Sequence, residues 1–469
     1  MVALNKIGTP LNTPILEPAQ GARQCARRRA GLGDGRAARA ASLAVAFGLP
    51  VLLGGCGIFG GDEKPTINTV YFGSVAADEP QAVGAGLAVL RQGGSAADAA
   101  AAMGLTLTVT LPSRAGLMGG GVCIVRIPGT DNVQTVDFLP NEAGGGVPVP
   151  GLVRGLASIQ AHYGHLNWAQ DAVQAEHAIL GGGAVSRVLT ADAAKAGIVL
   201  AKDSSLTGVY SQLRLYGPTD FYNGNLARRL VAAGVPGQAL AAYAPVWATA
   251  TGTDSGSDTA YTAPGAGGEV TRAAWAALES GRDSLTSAPA RFAAARAAAA
   301  GAAARLFPGQ PIADAPVAST GFTVVDTRGQ AISCALTMGR PFGTGVKLPD
   351  VGLYASAPVR NNAAVLMSLA PIVVGSSGNG QVRGVVAGSG GTLAGADAAV
   401  VGFGTLREHD DISTWLSAQR PGEGAGKVAT DRINGISCDR GLPAHPETCR
   451  AASDPRGDGY AATADSLMR

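Results

Sequence analysis

The stretch from Ala318 to Thr337 constrains this chain more than any other. Phe322, Val324 and Ile332 alternate with Thr323, Val325 and Ser333, the period of two that a strand demands. Asp326-Thr327-Arg328-Gly329 between the two runs is a turn with glycine where φ can be positive. Two short strands joined by a tight turn follow. Just ahead of the first strand, Ser319 and Thr320 stand where the flexible, proline-bearing lead Pro311 to Ala318 gives way to regular structure. Hydroxyls in such places commonly satisfy nearby backbone groups, so a strand cap is the plainest role for the pair.

The rest of the chain gives this pair a context. Val70 to Ala76 reads as a strand, and Pro80 opens a helix at its first turn, where a missing N–H costs little. Val83, Leu87 and Leu90 recur at helical spacing, and Gly93-Gly94 ends that helix. Ser95 caps the next, expected over 96–107, and Val122 to Arg126 reads as a strand after the turn Gly119-Gly120-Gly121. Farther on, Gln381 to Ala387 is a strand and Leu393 to Val401 a helix, joined by the glycine-rich turn Gly388 to Gly391. Backbone N–H groups in such a strand-to-helix turn, beside the positive end of a helix, suit developing negative charge. Asp254 to Gly268 reads as a surface loop.

Ser319-Thr320-Gly321-Phe322-Thr323-Val324-Val325-Asp326 resembles the motif Thr-Thr-His-(Phe or Tyr)-Ser-Val-Val-Asp that opens the small subunit of the gamma-glutamyltransferase family. Further matches arrive in order: Gly93-Gly94-Ser95-Ala96-Ala97-Asp98-Ala99-Ala100, Pro112 with the glycine triplet, Val149-Pro150-Gly151, Asp220-Phe221-Tyr222-Asn223-Gly224, Gly388-Ser389-Gly390-Gly391 and Ala452-Ser453-Asp454-Pro455-Arg456. That family belongs to the N-terminal-nucleophile hydrolases. The resemblance implies an α+β fold, a four-layer αββα sandwich, made of one continuous domain with a large-subunit-like part over 56–318 and a small-subunit-like part over 319–469. It implies scission between Ala318 and Ser319, with the two fragments staying associated, and Ser319 as the nucleophile. A terminal serine suits that task because its own α-amine, with a pKa near ~8, takes the hydroxyl proton close to neutral pH. By the same resemblance Gly390 and Gly391 form the oxyanion hole, Thr337 supports the nucleophile, and Thr320 and Ser368 face substrate. The substrate is then a small-molecule amide or gamma-glutamyl compound such as glutathione, with no cofactor and no metal.

Departures from the family pattern bear on substrate. Leu139 in Asp137-Phe138-Leu139 stands where the family has an arginine that grips the substrate α-carboxylate, and a neutral side chain makes no bidentate pair. Gly339 replaces an asparagine of the substrate wall, and Gly352 to Pro358 lacks the run that binds the α-amino group. Gly321 stands for the histidine of the nucleophile motif, and Ser319 lacks the methyl that stiffens threonine at χ1. Three readings stay open: an amidohydrolase that does not hold glutamyl groups in the usual way, a glutathione hydrolase with Arg114 or Arg126 as a substitute clamp, and a non-catalytic envelope protein that keeps the fold for binding or scaffolding.

Composition excludes little else. A net charge of +2, without a basic stripe interleaved with aromatics, argues against a nucleic-acid partner. Residues 1–55 combine an arginine-rich leader with a short apolar run broken by Pro50, which reads as an export signal rather than a membrane span. Leu53-Gly54-Gly55-Cys56 resembles a bacterial lipobox. Lipidation of Cys56 would anchor the protein to the cell envelope, periplasm-facing, without spanning the bilayer. Cys123 and Cys334 sit in apolar runs and read as core thiols. Cys438 and Cys449 flank a loop with few ways to bury itself, so an exported protein is expected to join them. Zinc is the weaker alternative, since only His445 is close by.

Overall fold

A computed structural model describes residues 69–142, 146–182, 185–200, 205–310, 316–408, 411–418 and 431–467. The export signal, Cys56 and most of the proline-bearing lead lie outside the described residues.

Among the described residues, thirteen strands make two antiparallel sheets. They are β1 (Thr69–Ala77), β2 (Gly120–Arg126), β3 (Val133–Asp137), β4 (Val246–Thr249), β5 (Thr251–Ser255), β6 (Asp258–Thr262), β7 (Ser319–Asp326), β8 (Ala331–Thr337), β9 (Ala370–Ser376), β10 (Val382–Ser389), β11 (Arg432–Leu442), β12 (Cys449–Ser453) and β13 (Tyr460–Leu467). One sheet runs β13-β1-β7-β8-β2-β3-β4 and the other β12-β11-β10-β9-β6-β5. Phe322, Val324, Ile332 and Leu336 face one way into a core with Leu90, Met103 and Leu156 from the outer helices. Val325, Ala331 and Ala335 face the other way and meet Val373, Val385 and Ile436 of the second sheet. Beyond that sheet, Val374 and Val386 pack on Trp275, Phe292 and Phe403 of three more helices. The architecture is therefore α+β in four layers, αββα, each interface closed by its own apolar cluster.

The layering explains a difference from the alternation of β7. Alternating polar and apolar residues ordinarily mark a strand with one wet face, yet all eight residues of β7 are buried. Thr323 of β7 and Ser333 of β8 lie on the face toward the second sheet, where the Ser333 hydroxyl donates to the Val386 carbonyl at 2.7 Å. At the turn, Gly329 takes φ +81°. The Asp326 carboxylate accepts the N–H groups of Arg328 and Gln330, at 2.9 and 3.0 Å, and also that of Ala96 at 3.0 Å. Ala96 begins the helix Ala96–Thr110, capped by a reciprocal Ser95–Asp98 box, so a buried carboxylate ties the hairpin to a positive helix end.

Two expectations are corrected. Asp254 to Gly268 is not a surface loop: Gly256 takes φ +61° in a tight turn, and the flanking residues form the β5–β6 hairpin, whose β6 pairs with β9. Cys123 and Cys334 are not free thiols. They sit opposite one another in the β2–β8 register, Cα atoms 4.1 Å apart, and are joined by a disulfide across a sequence separation of 211. A second disulfide joins Cys438 to Cys449 between β11 and β12. No helix among the described residues is long and apolar enough to cross a membrane.

Because β7 is packed on both faces, Phe322→Ala is expected to lower unfolding free energy by about 3–5 kcal/mol in urea melts. Thr327→Ala in the exposed turn should stay within about 0.5 kcal/mol.

Candidate nucleophile site

Ser319 is the first residue of β7 and lies opposite Thr337, the last of β8. Its hydroxyl is held from both sides: Gly390 N–H donates to Oγ at 2.8 Å, and Oγ donates to Ser368 Oγ at 2.9 Å. Ser368 in turn donates to the Val365 carbonyl at 2.8 Å. Thr337 does not touch the serine hydroxyl. Its Oγ1 donates to the Ala318 carbonyl at 2.7 Å and accepts Gly339 N–H at 2.9 Å. The peptide bond preceding Ser319 thus has an O–H donor on its oxygen, and an anchored hydroxyl on the adjoining residue.

Backbone geometry fixes these donors. Gly390 has φ +85°, a conformation that favours glycine, and its carbonyl accepts Val317 N–H at 2.8 Å. Gly391 pairs with Pro316, and a Cβ there would fall 1.5 Å from Asp431 Oδ1, so no larger residue fits. Of the two glycines expected as oxyanion donors, Gly390 is the one whose N–H donates to the Ser319 hydroxyl among the described residues. Val317 and Ala318 are buried with Ser319, which has no exposed surface, so the chain's own lead closes the site.

Thr320, expected to face substrate, is committed elsewhere. Its hydroxyl bonds Asp78 Oδ2 at 2.6 Å, and Asn434 Nδ2 bridges Asp78 and the Gly321 carbonyl at 2.8 and 2.9 Å. The absent histidine at Gly321 has a steric cause, since a Cβ there would already sit 3.0 Å from that of Ala387. Gly339 at φ +78° occupies a backbone shape that asparagine adopts far less readily. Leu139 is buried in the inter-sheet core, with Arg360 donating to its carbonyl at 3.2 Å while pairing with Asp137. Arg126 is excluded as a substitute clamp: it lies at the far end of β2 from Gly120, the residue facing Thr337, and donates to the Gly380 carbonyl at 2.8 Å. Arg114 does reach the site. It pairs with Asp192 at 2.8 Å and places Nη1 3.4 Å from the Ser319 carbonyl.

Several site residues carry no signal that sequence alone would isolate. Asp78 and Glu79 follow β1, and Arg432 and Asn434 open β11; only polarity inside strand-like runs marks them. Arg432 is fully buried opposite Ser389, and its guanidinium nitrogens meet no hydrogen-bond partner among the described residues. Burial lowers its pKa, with Arg114 adding repulsion. Burial pushes Glu79 up to about 7, and Asp78 adds to this against a hydrogen bond from Ser186 and the charge of Arg432. No cluster of three His, Cys, Asp or Glu side chains arranged for a metal occurs among the described residues.

Residues 82–147 match the model of the gamma-glutamyltranspeptidase family. Glutathione hydrolase 2 of Arabidopsis thaliana is 30% identical over 200 residues, covering 34% of this chain and 35% of that protein. Human glutathione hydrolase 7 is 32% identical over 148 residues, 26% of this chain and 22% of that protein. The chain thus matches about a third or less of the length of these relatives. In fold, cephalosporin acylase from Bacillus halodurans superposes with a TM-score of 0.64 at 17% identity, over 86% of this chain and 99% of that one.

The raised pKa of Glu79 has a stability consequence. A carboxyl whose folded pKa exceeds its ordinary 4.5 holds its proton longer in the native state, so stability is greatest below that value and declines as pH climbs to about 7. The total loss is about 3 kcal/mol. Urea melts at about pH 5 and about pH 8 should show the decline in the parent protein and a flatter profile in Glu79→Gln.

Proposed function

We propose that this chain, whose residues 82–147 match the model of the gamma-glutamyltranspeptidase family, is an N-terminal-nucleophile amidohydrolase that frees Ser319 by cutting its own chain after Ala318. The observation that carries this reading is the pair of contacts at the scissile bond: Gly390 N–H on Ser319 Oγ at 2.8 Å and Thr337 Oγ1 on the Ala318 carbonyl at 2.7 Å. In the first step Oγ bonds to the Ala318 carbonyl carbon, and Thr337 stabilises the oxyanion by its hydroxyl. The carbon–nitrogen bond then breaks, and the serine nitrogen leaves with the proton that Oγ gave up. Water hydrolyses the resulting ester, giving an Ala318 carboxylate and a free Ser319 amine.

Scission would also open the site, because Pro316 to Ala318 cover Ser319 and pair with Gly390 and Gly391. Once that lead withdraws, Gly390 N–H is available to the carbonyl oxygen of an incoming amide, and the new amine takes the Oγ proton. Strand order supports a complex that stays together after cutting. β1, β2 and β6, from before the cut, pair with β7, β8 and β9, from after it, so the fragments share both sheets. The substrate we favour is a small amide rather than an unmodified gamma-glutamyl group, because Leu139 is buried where a carboxylate clamp is needed. Lipidation at Cys56 and an envelope location belong to the same proposal. The second reading, a binding or scaffold protein that never cuts itself, is favoured by the complete burial of Ser319.

N-terminal sequencing and a denaturing gel of envelope-purified protein separate the two. Two fragments, one beginning at Ser319, are expected from the parent and a single chain from Ser319→Ala; a parent that stays whole sinks the hydrolase. Thr337→Val should slow scission by about 10² to 10³, with Thr337→Ser restoring most of the rate. For the cut enzyme, kcat/KM on an amide substrate should rise with pH through a midpoint of ~8 as the amine loses its proton.

A further inference from the structure

Withdrawal of the lead after a cut at Ala318 would free a space beside Ser319, and the residues around that space are aliphatic. Val317 is buried in the inter-sheet apolar cluster that also holds Leu139, Val359, Val365 and Leu369. Each of these is tied to the scissile bond through neighbouring contacts. The Val365 carbonyl accepts Ser368 Oγ at 2.8 Å, and Leu369 follows Ser368, whose Oγ accepts the Ser319 hydroxyl. Leu139 lies against Gly120, where an added Cβ would fall 2.8 Å from the leucine Cα, and Gly120 pairs with Thr337. Val359 follows closely on Ala357, whose N–H donates to the carbonyl of Met338, next in the chain to Thr337. Val317 is fixed from the side of the second sheet, its N–H on the Gly390 carbonyl at 2.8 Å. The lead thus fills with an aliphatic side chain the room that an acyl group needs beside Oγ.

The charged groups nearby do not suit an acidic acyl group. Arg360 pairs with Asp137 at 3.2 Å, and Glu142 accepts the N–H groups of Val359 and Arg360 at 2.7 and 3.0 Å, so acids outnumber the cation beside Leu139 and Val359. Arg114 is engaged by Asp192. Arg432 lies on β11, across β10 from β9, with its guanidinium against Gly457, where an added Cβ would fall 3.1 Å from Nη1. A carboxylate carried into the place of Val317 would be buried without a partner, a penalty that a hydrocarbon chain escapes. Resting on the reading that the chain cuts itself, we infer that its substrates are amides of short aliphatic acids, the acyl chain taking the place of Val317 against Leu139 and Val365. Oγ bonds to the acyl carbon as its proton passes to the serine amine. The carbon–nitrogen bond breaks, the amine product leaves with that proton, and water hydrolyses the ester to the free acid.

The test measures kcat/KM of the cut protein on acyl nitroanilides: acetyl, propanoyl, butanoyl and pentanoyl, together with glutaryl, which is the pentanoyl chain with a carboxylate in place of its methyl, and gamma-glutamyl. A rise of about fourfold for each CH₂ from acetyl to butanoyl is expected, with pentanoyl ahead of glutaryl by about 100-fold or more. Leu139→Arg, checked for folding by circular dichroism, should lower pentanoyl turnover by about tenfold or more and raise that of glutaryl. A cut protein that prefers glutaryl or gamma-glutamyl, gains nothing with chain length, turns over none of these amides, or keeps its preference in a folded Leu139→Arg overturns the inference and leaves self-cleavage standing. A parent that stays uncut overturns both. The ratios measured on the parent decide the matter even if Leu139→Arg fails to fold.

Discussion

The pairing of β7 between β1 and β8, with both of its faces covered, is the constraint from which the rest of this structure follows. A strand in that position must send every backbone group to a neighbour and every side chain to a packed layer, or carry unpaired polar groups at a cost of several kcal/mol. β7 meets the demand by accepting a helix layer on one face and the second sheet on the other. Its first residue is then fixed by the same network as its last. Asp326 anchors one end to the helix at Ala96, and Gly390 and Ser368 hold the hydroxyl at the other.

That rigidity has a chemical consequence. A serine hydroxyl in a mobile loop visits many rotamers, whereas Ser319 Oγ is pinned by one donor and one acceptor. The adjoining carbonyl already has the Thr337 hydroxyl in place, so the proposed attack would need little reorganisation there. Burial works in the same direction, because an electrostatic contact sheltered from water is stronger than the same contact exposed to it. The opposing requirement, access for an outside substrate, is met only if the lead over Ser319 moves. On the proposed reading, in which Ser319 cuts the segment that covers it, the closed and open states differ by one bond.

The charged residues around this centre form a second layer of control. Arg114 is neutralised by Asp192 yet still reaches the Ser319 carbonyl, while Arg432 is buried without a hydrogen-bond partner among the described residues and Glu79 is pushed toward neutrality by burial. A site assembled from such groups tolerates few single substitutions. Removing one member leaves another charge buried and uncompensated, and that commonly costs more than the pair itself contributes.

Much of this was legible in residues taken one after another. The alternation and turn of 322–333, the proline opening the helix at 80, the Ser95 cap and the strand-to-helix turn at 388–391 are local signals, set by backbone sterics and short-range hydrogen bonds, and each sits where those rules put it. Ser319 stood out through the resemblance of its motif to the one that opens the small subunit of the gamma-glutamyltransferase family. What the linear order could not give was anything that depends on partners 71 to 242 positions away: the disulfide between Cys123 and Cys334, the engagement of Thr320 by Asp78, the contact of Gly390 rather than Gly391 with the Ser319 hydroxyl, or the β5–β6 hairpin's place beside β9. Local sequence determines which conformations a segment favours. Only the packed sheets decide which side chains meet, because that depends on strand order and register, and neither is written in the spacing of any one segment.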